Sequence, residues 1–168
     1  MSTKSSPWLV TVSKPQGQGD RPSDLGLEVL KKEISALGLD IGRQRIGVAG
    51  CDRTGLIATG LTTLRRQPFP QLLSALEELI QARRAEILVV GLPITMAGTE
   101  GSQAQHVRRL ANRLGRHLHL PVVYIDERLS SLEAEELIRE QGGEPSQNKN
   151  LIDRKAAAII LQRWLDQR

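Results

Sequence analysis

The stretch GLDIGRQRIGVAG, residues 38–50, decides how this chain is read. Two apolar segments flank the polar pair Arg43–Gln44, the pattern of a β-hairpin. Side chains alternate along a strand, so Leu39 and Ile41 face one way while Gly38, Asp40 and Gly42 face the other. Asp40 therefore stands on a face bare of side chains to either side. Such a carboxylate has to be neutralised or used. It can pair with an arginine, accept hydrogen bonds within a tight hairpin, or take part in chemistry.

Outward from the hairpin the pattern continues. Strands are expected over residues 37–42, 45–50 and 55–64, with Asp52–Gly55 as the second turn. Phe69, Leu72, Leu73, Leu76, Leu79 and Ile80 follow at helical spacing. EILVVGLP is a continuous apolar run, the kind buried on both faces of a parallel sheet. Thr99 and Glu100 are expected to open a helix with Ala104, Val107, Leu110, Ala111, Leu114 and Leu118 as its apolar stripe. VVYIDE is the fifth strand, and Ser130 and Glu133 have capping-box spacing before a helix that Gly142–Gly143 stops. A last helix runs from about Leu151 to Leu165. The order βββαβαβαα implies an α/β fold: a mixed five-stranded sheet, three antiparallel strands then two parallel, with helices on both faces. This arrangement resembles the ribonuclease H superfamily.

The 168 residues suffice for one domain with a tail. Residues 1–36 read as an N-terminal tail, largely disordered: MSTKSSPWLVTVSKPQGQGDRP is rich in Ser, Pro, Gly and Lys, with a short helix expected over 23–36. Residues 37–168 form the expected domain. No apolar run approaches the ~20 residues of a membrane helix, and WLVTV is too short for a signal-peptide core, so a cytoplasmic protein is expected. The single cysteine, Cys51, rules out an intrachain disulfide or a thiolate metal cluster. The net charge is +4, with arginines paired at 65/66, 83/84 and 108/109 and sharing a turn at 43 and 45. Such residues suit phosphate contacts but also occur on solvated helix faces. With two Trp, one Tyr and one Phe, base stacking is a poor candidate for the main binding mode.

Three further acidic positions need explaining beside Asp40. Asp126–Glu127 closes the fifth strand, where ordinary strand-end polarity is the bland reading. Asp153 is expected in the first turn of the final helix, where it could complement the helix dipole with Asn150 as N-cap. However, α/β folds build sites at the carboxyl ends of parallel strands. Asp153 also shares a helical stripe with Ala157, Ile160, Leu161 and Trp164, which turns it toward the sheet. Carboxylates brought together there would repel and raise one another's pKa. A hard divalent cation such as Mg²⁺ or Mn²⁺, which prefers oxygen ligands, removes the conflict.

LGLDIG…RIGVA, VVGLP…GTEG, the DER of residues 126–128 and KNLIDRKAAAIILQRWLD together resemble the YqgF/RuvX family. This ribonuclease H-like group is related to Holliday junction resolvases and described as pre-16S rRNA nucleases. The resemblance covers about residues 36–167. It implies Asp40, Glu127 and Asp153 as catalytic, metal-holding carboxylates, with Asp126 as a further metal candidate. It also implies a nuclease of structured nucleic acid, RNA favoured and a DNA junction as the alternative, acting on ribosome precursors as a monomer or homodimer. Family members commonly carry Thr or Ser at Arg43 and Ser or Val at Cys51. Arg154 and Lys155 follow Asp153, where junction resolvases of the superfamily have a second acid, which points away from junction resolution.

On this reading Asp40 would bridge two metal ions about 3.5–4 Å apart, with Glu127 and Asp153 each holding one side. The loop GLPITMAGTEG precedes a helix N-terminus, so Thr95, Gly98, Thr99 and Gly101 are candidates for holding the substrate backbone. A purely structural glycine loop is the alternative. Arg43, Arg45 and Arg128 are candidates for flanking phosphates, Arg128 alternatively for orienting Glu127. His106, His117 and His119 lack metal-ligand spacing. Two rival readings fit parts of the sequence. DIGRQRIGVAG also fits the first phosphate loop of actin-like ATPases, but that fold needs two lobes. A non-catalytic nucleic-acid-binding factor would gain nothing from clustered negative charge beside phosphates.

Overall fold

The computed structural model describes residues 9–13, 33–128 and 130–168. The expected hairpin is present as β2 (Ala36–Ile41) and β3 (Arg45–Cys51), followed by β4 (Ala58–Arg65). Helix α1 (Phe69–Arg83) leads to β5 (Ile87–Leu92), and α2 (Ser102–Leu118) leads to β6 (Val122–Asp126). Helices α3 (Ser130–Glu140) and α4 (Lys149–Asp166) complete the chain. β3 pairs antiparallel with β2 and β4, while β5 runs parallel to both β2 and β6. These five strands are the mixed sheet expected from the sequence, three antiparallel strands followed by two parallel ones.

A sixth strand was not expected. β1 (Leu9–Ser13) lies in the stretch read as a disordered tail, yet it pairs antiparallel with β6, giving the order β1-β6-β5-β2-β3-β4. The physical reason is the edge: without β1, the apolar strand β6 would present an unpaired row of backbone groups. LVTVS has the β-branched composition that suits such pairing. The helix expected over 23–36 falls largely outside the described residues, and within them Ala36 already belongs to β2. No helix among the described residues is long and apolar enough to cross a membrane.

The two faces of the sheet are packed differently. On one, Leu37, Leu39 and Ile41 of β2 meet Leu72 and Leu76 of α1 and Val107, Ala111 and Leu114 of α2. The other face is covered by α4 through Ala157, Ile160, Leu161 and Trp164. On that face α4 rides on glycines. A Cβ at Gly38 would lie 2.7 Å from Leu161 Cβ and 2.8 Å from the Ala157 carbonyl oxygen. A Cβ at Gly60 would lie 2.9 Å from Arg154 Cβ, and one at Gly47 would overlap the Asp153 carbonyl. The glycine beside Asp40 on the inner side thus makes room for a helix. Gly42, on the other side, is closed against the Arg45 carbonyl of the hairpin turn, whose oxygen accepts the Gly42 N–H at 2.9 Å.

Two helix starts differ from the expectation. α2 begins at Ser102, because Thr99 and Glu100 are held in the preceding loop, where Glu100 bridges to Ile94. The capping box of α3 does not form: Ser130 is inside the helix with its hydroxyl donating to the Glu127 carbonyl at 2.9 Å, and Glu133 pairs with Arg163.

Candidate active site

Asp40 is the fifth residue of β2, at the carboxyl end of the strand and on the face covered by α4. Its antiparallel partner in register is Gly47 of β3. On the opposite side the parallel register pairs Leu39 with Val90, which brings Gly91 of β5 alongside Asp40. Both neighbours lack side chains, and each gap is filled by one of the other two acids. The Asp153 backbone sits on Gly47, and the Glu127 carboxylate lies over Gly91 beside Ile160. Three acids from β2, the end of β6 and α4 are thereby lined up across three strands.

Asp40 and Glu127 lie close enough for each carboxyl to shift the other. Burial pushes the Asp40 carboxyl up to about 6; Glu127 draws it down and the nearby Asp153 charge raises it further. Burial also holds Glu127 well above the usual carboxylate range, reinforced by the Asp40 charge. Glu127 Oε2 is fully buried with no hydrogen-bond partner among the described residues. An unsatisfied buried oxygen is costly, which is why nearly all such atoms have partners. Oxygen donors alone, one of them orphaned, fit a hard divalent cation.

Asp153 is placed differently from the convergence expected. Its carboxylate accepts the Arg45 Nε–H at 2.5 Å rather than turning to Asp40. Among the described residues no three His, Cys, Asp or Glu side chains already stand close enough to ligate one ion. Arg45 is the reason: it neutralises Asp153 from the first residue of β3. α4 itself starts at Lys149, so Asp153 lies beyond the first turn and the dipole reading loses force.

Asp126 is only 6% exposed and is satisfied within the protein. Its carboxylate accepts the Arg128 backbone N–H at 3.1 Å and the Arg128 guanidinium at 2.7 Å. Arg128 therefore braces Asp126 and does not orient Glu127. Arg43 is exposed on the hairpin turn and donates to Gln103 Oε1 at 3.4 Å. The 95–101 loop follows β5 at the same end of the sheet, but its amides are used internally. Thr95 N–H donates to the Thr99 carbonyl, Gly98 N–H to the Thr95 carbonyl, and Thr99 N–H to Thr95 Oγ1. The two threonine hydroxyls bond each other at 2.7 Å, and Gly101 caps α2. The free N–H groups expected of Thr95, Gly98 and Thr99 are thus absent.

Sequence reasoning missed Gly47 and Gly91 as site residues. A glycine inside an apolar strand signals close approach of another group, and both have that context in RIGVAG and VVGLP. It also missed Arg45 as the partner of Asp153, a pairing 108 residues apart that no local pattern announces.

A family model described as "RuvX: Holliday junction resolvase" matches residues 34–167. The chain belongs to the RuvX family. Among RuvX relatives, a protein of Crocosphaera subtropica named "Putative pre-16S rRNA nuclease" is 58% identical over 137 residues, 82% of this chain and 96% of the relative. A protein of Synechocystis sp. with the same name is 54% identical over 139 residues, 83% of this chain and 91% of the relative. In fold, the chain is similar to T. thermophilus RuvC solved with a Holliday junction substrate: TM-score 0.50, 18% identity, 80% of this chain and 95% of that one.

Proposed function

We propose that this RuvX chain is a nuclease that hydrolyses phosphodiester bonds of structured nucleic acid with the help of Mg²⁺ or Mn²⁺. We further propose that it acts in the cytoplasm on the ends of pre-16S rRNA during ribosome biogenesis. The observation that carries the reading is the buried Asp40–Glu127 pair with its orphaned Glu127 Oε2, at the carboxyl end of the parallel strands. The names of the curated relatives support the choice of RNA.

Asp40 and Glu127 would hold the cation, and Asp153 would join them when Arg45 releases it. A bound divalent ion supplies Lewis acidity, generating a nucleophilic water and offsetting charge on the phosphate. The remaining work falls to the chain. Gly47 and Gly91 let Asp153 and Glu127 approach Asp40, and Ile160 walls off the buried side of Glu127. Arg43 and Arg45 present cations on the hairpin turn to flanking phosphates, while the closed Thr95–Thr99 loop and Gly101 shape the far rim. Arg128 keeps Asp126 in place, so that the end of β6 delivers Glu127 over Gly91.

The test is cleavage of end-labelled substrates in Mg²⁺ and Mn²⁺: 16S rRNA carrying its precursor ends, an unstructured RNA, and a four-way DNA junction. Metal-dependent shortening of the precursor is expected. Cutting that persists in excess EDTA refutes the metal. Cutting of the junction alone makes the chain a resolvase, and tight RNA binding without cutting makes it a binding factor.

A further inference from the structure

Beside the carboxylates, on the side of Asp153, lies a groove of about 610 Å³ between the β3–β4 end of the sheet and the start of α4. Arg45, Arg65, Arg66, Lys149 and Arg154 line it together with amides and a serine, and no carboxylate lines it. Arg45 and Arg65 are direct partners in the antiparallel register of β3 and β4. Like charges placed opposite each other across strands are destabilising, and Asp153 offsets only the Arg45 side of this pair. Among the described residues, Arg65, Arg66, Lys149 and Arg154 are in no ion pair. Arg66 donates to the Gly42 carbonyl and contacts His106, and Arg154 donates to the Asn150 carbonyl; a carbonyl orients a guanidinium without cancelling its charge. Arg65 and Lys149 are exposed.

The geometry points to this groove as the track for the sugar–phosphate backbone of the substrate strand, entering past Arg65 and Lys149 and reaching the carboxylates through Arg45. Arg45 is both a wall of the groove and the partner of Asp153. A phosphate in the groove competes with Asp153 for that guanidinium, so filling the track frees the third acid. The clustered like charges, otherwise unfavourable, are neutralised by a polyanion and release its condensed counterions. Amide and serine side chains in the wall give hydrogen bonds to phosphate and sugar that carry no base information, so the track positions the strand without reading its sequence. The inference rests on the nuclease reading for the identity of the polyanion.

The experiment is fluorescence anisotropy with a labelled RNA hairpin bearing single-stranded ends, in EDTA so that nothing is cut, across a series of salt concentrations. Arg65→Ala/Lys149→Ala is compared with Arg53→Ala/Arg83→Ala, which removes the same charge from exposed positions lining a pocket away from the site. The groove pair is expected to weaken binding at least about tenfold and to flatten the log–log salt dependence by roughly 1 to 2, with the control changing binding less than twofold. Equal effects of the two pairs, or none from the groove pair, overturn the track while leaving the nuclease standing if the unaltered protein cuts RNA. Loss of binding in the groove pair from a protein that cuts nothing upholds the track and refutes the nuclease. Absence of RNA binding by the unaltered protein refutes both.

Discussion

Replacing Asp40 by Asn should make the metal-free protein more stable, and the gain should depend on pH. Asp40 has its carboxyl raised from the ordinary 3.8 to about 6, chiefly by burial. A raised acid favours the protonated folded form, so its contribution is fully present at low pH and is lost as pH rises through the folded value. At 1.36 kcal/mol per pKa unit, ionising Asp40 costs the fold about 3 kcal/mol at pH 8 but only about 0.5 kcal/mol at pH 4. Asn cannot ionise, and its amide can donate to Glu127. Urea unfolding in EDTA should therefore show Asp40→Asn ahead of the natural protein by about 3 kcal/mol at pH 8, with the lead nearly gone at pH 4. A variant no more stable at pH 8, or one with equal leads at the two pH values, would refute the picture of a buried, strained carboxylate.

Four other outcomes follow from the same geometry. Gly47→Ala drives a methyl into the backbone of α4 and should cost about 3 kcal/mol or more by urea unfolding. Gly91→Ala meets only the ends of the Glu127 and Ile160 side chains, so it should cost about 1 kcal/mol while lowering cleavage at least tenfold by displacing Glu127. Arg128→Ala leaves Asp126 buried with its charge unpaired and should cost about 2 kcal/mol, most of it recovered when Asp126→Asn is added, as a double-mutant cycle would register. Millimolar Mn²⁺ should raise the melting temperature of the natural protein by several degrees and leave that of Glu127→Gln unmoved, read by scanning calorimetry.

Much of this was legible in the sequence because periodicity reports burial. The alternation around Asp40 placed it on the face opposite Leu39 and Ile41, and the stripe of Ala157, Ile160 and Leu161 placed Asp153 against the sheet. What stayed hidden was tertiary. The face beside Asp40 reads as bare from the alternation along its own strand. Gly38 is instead filled by α4, and the space that matters lies on the neighbouring strands at Gly47 and Gly91. Strand pairing sets that relation, and spacing along one strand cannot. Likewise Arg45 looked like a free phosphate ligand because its partner, Asp153, is contributed by the last helix. β1 was overlooked because five residues inside a Ser-, Pro- and Gly-rich segment give too short a pattern to stand out, and only the exposed edge of β6 explains them.

The most direct test of the account is the rate of metal-dependent RNA cleavage by the natural protein, Asp40→Asn and Glu127→Gln at saturating substrate, with circular dichroism to verify that each is folded. The buried Asp40–Glu127 pair beside Gly91 predicts that each variant stays folded, binds RNA, and cuts at least about a hundredfold more slowly. Folded variants that cut at the natural rate would show that the hydrolytic centre lies elsewhere.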